Sequence, residues 1–528
     1  MDEPKALDLN AVCAPDAARW IHAAASGGRL ASDSRRVRRG DVFFAYPGEA
    51  ADGRKFIASA IENGAAAVVY DARDFAWDDA SGLPQNVPHL AVADLKAKAG
   101  AIAHAYYGQP DAGMFTVGVT GTNGKTSCAL WTAQALASLG DTAAVIGTLG
   151  VGLVRGRAEP EFDATGYTTP DAVLLAAELA KLKDAGAGAL AIEVSSIGLV
   201  ENRANGMHFD VALFTNLTRD HLDYHGDMAN YEAAKLQLFE WPGLKAAVVN
   251  LDDPAGVRIV RHLRANFPAV AVTGYTLRAE AEAEAEAELR ALGGVQILRA
   301  ANLRSRAAGV EFQVQSGADS ALARTRLVGH FNVSNALAVL GALLARGIEL
   351  RAAVDAIETL VPAPGRMQQV GGQDAPLVVI DYAHTPDALE KTLAALRQVA
   401  QERGGQLWCV FGCGGDRDPG KRPQMGRIAQ MADQVVVTSD NPRSEEPRAI
   451  IEQVVAGMDS KGAPWQAIED RAAAILSAVK HAAKADVILL AGKGHEPYQE
   501  IKGRKNPFSD ADHAALALTA RLTMMRTN

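Results

Sequence analysis

The strongest chemical signal in the chain is a run of eight residues, Thr120-Gly121-Thr122-Asn123-Gly124-Lys125-Thr126-Ser127, set between an apolar strand pattern and a helix pattern. Glycines let backbone N–H groups wrap around phosphate oxygens, the helix N-terminus adds the positive end of its dipole, and Lys125 supplies a mobile cation. Thr126 carries the hydroxyl that coordinates the magnesium of a bound nucleotide in such loops. Val119 stands where the strict pattern has Gly, so the match is to its second half, with Gly118 and Gly121 spaced differently. No Asn-Lys-x-Asp guanine reader accompanies the loop, which points to ATP rather than GTP. A phosphate-bound magnesium needs further oxygen ligands. Glu193 ends an apolar strand pattern, where a carboxylate would face the phosphates, and residues 216–225 crowd His and Asp together too tightly for a structural zinc cage.

A second set of candidates lies near the C-terminus. Four strand patterns, at 377–380, 407–411, 434–438 and 486–490, each run into a polar segment. These segments are Asp381-Tyr382-Ala383-His384, Gly412 to Arg417, Ser439-Asp440-Asn441-Pro442-Arg443, and Gly492-Lys493-Gly494-His495-Glu496. Ligands of open parallel sheets bind beyond the carboxyl ends of the strands, so four such ends in one sheet would face one crevice.

The elements that must hold these residues fall into three stretches of alternating strand and helix patterns. Short strands at 41–45, 65–70 and 89–92 precede residue 112. The loop-bearing strand at 114–120 is followed by a helix from Lys125 to about Leu139, strands at 144–146, 189–194, 211–214 and 246–250, and a helix pair at 332–346 and 351–360. This alternation predicts α/β modules with mostly parallel sheets covered by helices. Residues 361–365 read as a linker, and the Ala-Glu repeat at 279–288 reads as a solvated insertion without chemistry.

Composition excludes other classes. The 528 residues are 48% hydrophobic and 22% charged, an ordinary globular profile. With 53 basic and 62 acidic side chains the net charge is −9, which argues against a general nucleic-acid binder. No apolar run reaches the roughly 18 residues of a membrane span, and the first residues lack the order of a secretory signal. Four scattered cysteines form neither a disulfide framework nor a paired zinc site. A cytoplasmic multidomain protein is expected.

The segments 120–127, 193–196, 216–226, 329–335, 381–386 and 440–443 resemble, in order and spacing, those of the Mur ligases, the ATP-dependent amide-forming enzymes of peptidoglycan precursor synthesis. The resemblance runs from Asp33-Ser34-Arg35 to Glu496. It implies three domains: an N-terminal α/β domain for the UDP-sugar-peptide (1–112), a central P-loop parallel-sheet ATPase domain (113–363), and a C-terminal Rossmann-like α/β domain for the amino acid (364–528). It also implies a reaction: ATP phosphorylates a substrate carboxylate, and the amine of an amino acid displaces phosphate from the acyl phosphate. Such catalysis is positioning and charge neutralisation, with no side-chain nucleophile.

By the same resemblance, Gly121 to Ser127, Asn332, Asn335, Arg366, Asp381 and His384 would bind ATP. Thr126 and Glu193 would hold one Mg2+; His221 and Lys235 would serve a second. Lys235 matches a family lysine carbamylated by CO2, although on pattern alone it is one more helix-surface lysine. UDP-MurNAc-L-Ala-D-Glu would meet Ser32, Ser34, Glu49, Ala50, Ala51, Thr168, Thr169, Ser195, Glu201 and Arg203. The motif Asp440 to Arg443 implies meso-diaminopimelate as the amino acid, with Arg443 and Arg417 for the distal carboxylate and Glu496 for the ammonium. Asp440, Asn441, Pro442 and Gly492 complete that pocket. Ile197 stands where His is common in the family, Tyr167 where an Asn is sometimes used, and Glu201 in place of a Gln. A monomer acting on small molecules, without nucleic acid or membrane insertion, is expected. The rivals are a ligase of this fold using lysine or folate, which would lack the Asp440–Arg443 motif or the N-terminal region, and a P-loop switch ATPase, which would need no third domain with four polar strand ends.

Overall fold

Apolar runs of four to six residues become the buried strands of three sheets, and the polar residues that follow them become the loops at the sheet edges. The computed structural model describes residues 12–48, 51–77, 81–158, 160–278, 293–306, 309–372 and 374–527. The N-terminal sheet pairs Leu30–Ala31, Val42–Ala45, Ala67–Asp71 and His89–Val92 in parallel and in chain order. Helices Ala14–Ala24 and Leu95–Tyr106 pack together over one face.

The central sheet has eleven strands, of which seven are mutually parallel. Phe115–Thr120 lies between Val211–Phe214 and Ala189–Glu193, each buried on both faces. The expected parallel sheet is extended at both edges by antiparallel strands: Gly150–Arg155 and Phe162–Asp163 at one, Gly309–Ser316 and Asp319–Thr325 at the other. The helix Lys125–Ser138 is buried almost all round because it is wedged between this sheet and the apolar helix His330–Ala345. Trp131 Nε1 donates to the carbonyl of Val361 at 2.7 Å and so fixes the start of the 361–365 segment.

The C-terminal sheet runs in the order Gln368–Gly371, Leu377–Asp381, Val487–Ala491, Leu407–Phe411, Gln434–Val437 and Trp465–Ala467, antiparallel only at its first pair. The four strands followed by polar segments are therefore parallel neighbours, and their carboxyl ends share one edge. Behind that edge Arg471 is fully buried, bonds Asp510 through two contacts of 2.7 Å, and donates to the carbonyl of Ala491. The last helix, Asp510–Thr527, is thereby tied to the strand that ends at Ala491, just before Gly492. The first and second sheets are joined by a comparable network, in which buried Asp111 meets His104 Nδ1 at 3.1 Å and His208 Nδ1 at 3.0 Å.

The Ala-Glu repeat at 279–288, with Glu49 and Ala50, lies outside the described residues.

Candidate active site

The loop after Phe115–Thr120 emerges between two neighbouring strand ends, and those neighbours shape it. Asn216 Oδ1 accepts from the Asn123 amide at 2.9 Å, and Thr215 Oγ1 donates to the Asn123 carbonyl at 2.6 Å. Gly124 has φ +89°, and a Cβ there would lie 2.6 Å from Asn335 Oδ1, so only glycine lets the loop close on the His330–Ala345 helix. Lys125 Nζ donates to the carbonyls of Gly121 and Thr122, both at 2.8 Å. Burial pushes its ammonium below the usual lysine range, opposed by the charges of Glu193 and Asp220.

A carboxylate, an imidazole and a buried amine surround this loop. Glu193, 2% exposed, accepts from the Thr148 amide at 2.8 Å and its hydroxyl at 3.1 Å. His221, in the left-handed region at φ +52°, precedes the helix Leu222–His225 and sits 3.5 Å from Asp220 Oδ2. Burial lowers its imidazole pKa, which favours the neutral, ligating form. Lys235 is not a surface lysine: it is 2% exposed, because the helix Met228–Leu236 turns that face inward. Its Nζ donates to the Gly121 carbonyl at 3.0 Å and lies 4.3 Å from the Tyr231 ring centre. Burial, followed by repulsion from Lys125, drives its pKa well below the ordinary value.

One cavity of about 790 Å³ unites these groups with the C-terminal domain. Thr122 to Ser127, Thr168, Glu193, Ser195, His221, Lys235, Asn332, Asn335, Arg366, Asp381 and His384 all line it. Arg366 Nη2 donates to Thr126 Oγ1 at 3.3 Å while its guanidinium stacks 4.3 Å from the Tyr382 ring centre. Asn123 Nδ2 reaches Asp387 Oδ2 at 3.4 Å, a second bond across the domains. His384 Nδ1 bonds the Tyr382 carbonyl at 2.8 Å, its Nε2 stands 3.9 Å from Asp220, and burial drops its pKa to about 4. Asp381 accepts from the Met367 amide at 2.8 Å and so holds the Arg366 loop; burial raises its pKa.

The residues matched to the sugar-peptide lie along the junction of the first two domains. Ser32 Oγ donates to Asp171 Oδ1 at 2.8 Å, the carboxylate that caps the helix Ala172–Asp184. Thr169 Oγ1 donates to the Glu193 carbonyl at 2.9 Å and meets Ser195 Oγ at 3.2 Å. Arg203 donates to the Thr169 carbonyl at 3.3 Å and lies over Tyr167. Ser34 is buried and Ala51 closes a turn with Gly48. Glu201 is engaged inside the protein by Lys96 Nζ at 2.5 Å and Tyr224 OH at 2.8 Å. Among the described residues of this set, only Thr168 and Ser195 reach the cavity wall.

The polar strand ends form a second cluster. Asn441 Nδ2 donates to Glu496 Oε2 at 2.7 Å. Arg443, at φ +52°, donates through Nη1 to the Gly415 carbonyl at 2.7 Å and faces Glu500 at 3.5 Å. Pro442 packs its carbonyl so closely on Gly415 that a Cβ there would lie 1.9 Å away, and a Cβ on Gly492 would lie 2.6 Å from Asp440 Oδ2. Arg417, on the adjoining loop beside Gly414, is exposed and donates to the carbonyl of Asp416 at 3.0 Å. The sequence alone singles out no role for Asp220, Asp387 or Lys493, although Lys493 stands in the quoted Gly492–Glu496 segment and Tyr382 in the Asp381–His384 segment. Tyr382 connects cluster and cavity, since its ring lies 5.5 Å from His495, and burial and then the charge of Glu496 raise its phenol pKa.

A model of the Mur ligase family catalytic domain matches residues 29–107, one of the Mur ligase middle domain matches 119–343, and one of the Mur ligase glutamate ligase domain matches 365–494. A relative from Janthinobacterium sp. (strain Marseille), named UDP-N-acetylmuramoyl-L-alanyl-D-glutamate–2,6-diaminopimelate ligase, is 61% identical over 95% of this chain and 96% of its own. One of the same name from Ralstonia nicotianae is 51% identical over 96% of this chain and 98% of its own. A solved structure of a ligase of that name aligns with a TM-score of 0.63 and 35% identity over 94% of this chain and 95% of that one. The chain belongs to the Mur ligase family.

Proposed function

We infer that the chain joins meso-diaminopimelate to UDP-N-acetylmuramoyl-L-alanyl-D-glutamate, forming an amide at the expense of ATP in peptidoglycan precursor synthesis. The observation that carries this reading is the shared cavity, in which the phosphate loop of one domain meets Arg366 and His384 of the next. Lys125 and the N-terminus of its helix meet nucleotide phosphate charge, and Arg366 adds a cation from the opposite wall. Placing fixed charge where negative charge develops lowers the barrier to phosphoryl transfer and to collapse of the tetrahedral adduct. Asn332 and Asn335, buried on the His330–Ala345 helix and lining the cavity, would meet the adenine. The division at 1–112, 113–363 and 364–528 belongs to this reading, supported by the three separate sheets.

The donor set fits hard divalent cations. The Thr126 hydroxyl and the Glu193 carboxylate would hold one Mg2+, and neutral His221 with carbamylated Lys235 a second. Bound there, the ions neutralise phosphate charge. Lys235 suits carbamylation: among the described residues no carboxylate forms an ion pair with it, burial outweighs the more distant charge of Asp220 and favours its free amine, and CO2 combines with free amines. The resulting anion would offset Lys125, whereas an ammonium repels it.

The sugar-peptide would lie along the Ser32–Asp171 and Thr169–Arg203 junction, and the distal zwitterion of diaminopimelate between Arg443 and Glu496. We further propose a cytoplasmic monomer, because one chain supplies every group named. Among the described residues no helix is long and apolar enough to cross a membrane.

Purified protein given ATP, Mg2+ and the UDP-muramoyl dipeptide should release phosphate when diaminopimelate is added and far less with lysine. Release with neither amino acid would favour a plain ATPase; release with lysine alone would overturn the assigned specificity.

A further inference from the structure

A fully buried ammonium lies inside the strand-end cluster, without any assigned task. Lys493 is 0% exposed, and its Nζ bonds Asn441 Oδ1 at 3.1 Å, Glu496 Oε2 at 3.1 Å and Asp440 Oδ1 at 3.4 Å. An ammonium has three N–H donors, so these three oxygens saturate it and leave none for a ligand. The role open to it is to fix its neighbours. We propose that Lys493 is the positioning residue that presents Glu496 to the ammonium of the incoming amino acid, which makes it a determinant of amino-acid affinity.

The bond pattern supports this assignment. Asn441 Oδ1 accepts from Lys493 and also from the Glu500 amide at 2.9 Å, so the orientation of its side-chain amide is determined. Its Nδ2 must then face Glu496, and the bond of 2.7 Å lands on the same oxygen, Oε2, that Lys493 contacts. Both internal bonds fall on one carboxylate oxygen, and Oε1 is left to accept from a ligand. The same frame reaches the cationic side of the pocket, because the Arg443 amide donates to the Glu500 carbonyl at 3.0 Å. Charge agrees with geometry: Asp440 and Glu496 share Lys493 as their ion-pair partner, and nearby Arg471 is neutralised by Asp510, leaving a single negative charge for a single ammonium. Without Lys493 the two carboxylates would repel one another, and Glu496 would be free to rotate.

This inference rests on the amino-acid pocket proposed above, and the test separates the two. Phosphate release by the full-length protein is measured for wild type, Lys493→Met, Glu496→Gln and the double variant, with each substrate varied in turn. Lys493→Met should raise the KM for diaminopimelate about tenfold or more and leave the KM for ATP within about threefold. Added to Glu496→Gln, it should change that KM by less than about twofold, because residues acting through one group are not additive. An unchanged diaminopimelate KM, an equal rise in the ATP KM, or fully multiplicative effects would overturn the proposal. If Lys493→Met loses its cooperative melting transition, Lys493→Arg carries the same test, since a planar fork cannot reach the same three oxygens. Wild-type protein without diaminopimelate-dependent release would instead remove the underlying reading.

Discussion

Two lysines of this chain are equally hidden from water and differ in almost everything else. Lys235, in the central domain, has a carbonyl and an aromatic ring for company, with a second lysine close enough to repel it. Lys493, in the C-terminal domain, is enclosed by two carboxylates and an amide oxygen. The first environment lowers the pKa and favours the free amine; the second matches each N–H to an acceptor. Burial alone assigns neither role. The charges that accompany it do.

The comparison can be broken most forcefully at Lys235. Lys235→Ala should lower turnover about a thousandfold or more, the scale of losing a charge-stabilising group at a phosphoryl-transfer site. Formate or acetate should restore part of the rate by supplying carboxylate oxygens, and near-normal rates without them would exclude the carbamate. Mass spectrometry of the intact protein at mildly alkaline pH, with and without bicarbonate, offers a direct check through the gain of one CO2 on Lys235.

Next in size is the cation opposite Lys493's carboxylates. Arg443→Ala should raise the KM for diaminopimelate about a hundredfold, an unpaired-carboxylate penalty, with little change for ATP. Arg443→Lys should recover little of this, because a point charge lacks the guanidinium's two parallel donors. Equal effects on both KM values would place Arg443 outside the pocket. A smaller loss belongs to the phosphate loop: Gly124→Ala places a methyl against Asn335 at positive φ and should raise the KM for ATP before that for diaminopimelate.

The smallest expected effect concerns a histidine that, like Lys493, is held by carboxylates. Hydrogen bonds to Asp111 and then Asp210 raise the His208 pKa from 6.5 to about 10. A raised folded-state value means the stabilisation is complete below pH 6.5 and fades as pH climbs through about 10. His208→Gln should therefore cost about 1 kcal/mol near neutrality, once partial exposure of the ring is discounted, and nothing above that window. Thermal melts across pH provide the measurement; a constant difference would show packing rather than charge.

Contiguity decided what could be read from the chain. The phosphate loop is one run, and its strand-loop-helix setting was legible because glycines, lysine and hydroxyls sit side by side. The four polar strand ends were legible for a related reason, as each follows a short, mostly apolar run of four or five residues. The antiparallel strands at 309–325 were not, because Val310, Phe312 and Val314 alternate with Glu311, Gln313 and Gln315. That period-two pattern marks a strand with one wet face, and it is easily missed when long apolar runs are the signal sought. Lys235 could not be identified as buried from its helix, since only the tertiary placement of Met228–Leu236 turns that face inward. Nor could Arg417 and Arg443 be separated by type: two arginines on neighbouring loops look alike until one pairs inward and the other projects outward.

The Arg471–Asp510 pair makes the proposed amino-acid pocket answerable to a remote part of the chain. Arg471 reaches the strand end beneath Gly492 and acts electrostatically on Asp440 and Glu496, yet its counterion belongs to the Asp510–Thr527 helix. Stripping a partner from a buried ion pair costs roughly 3–5 kcal/mol, so trimming or tagging that disturbs this helix would register as poorer selection of the amino acid well before the phosphate loop noticed.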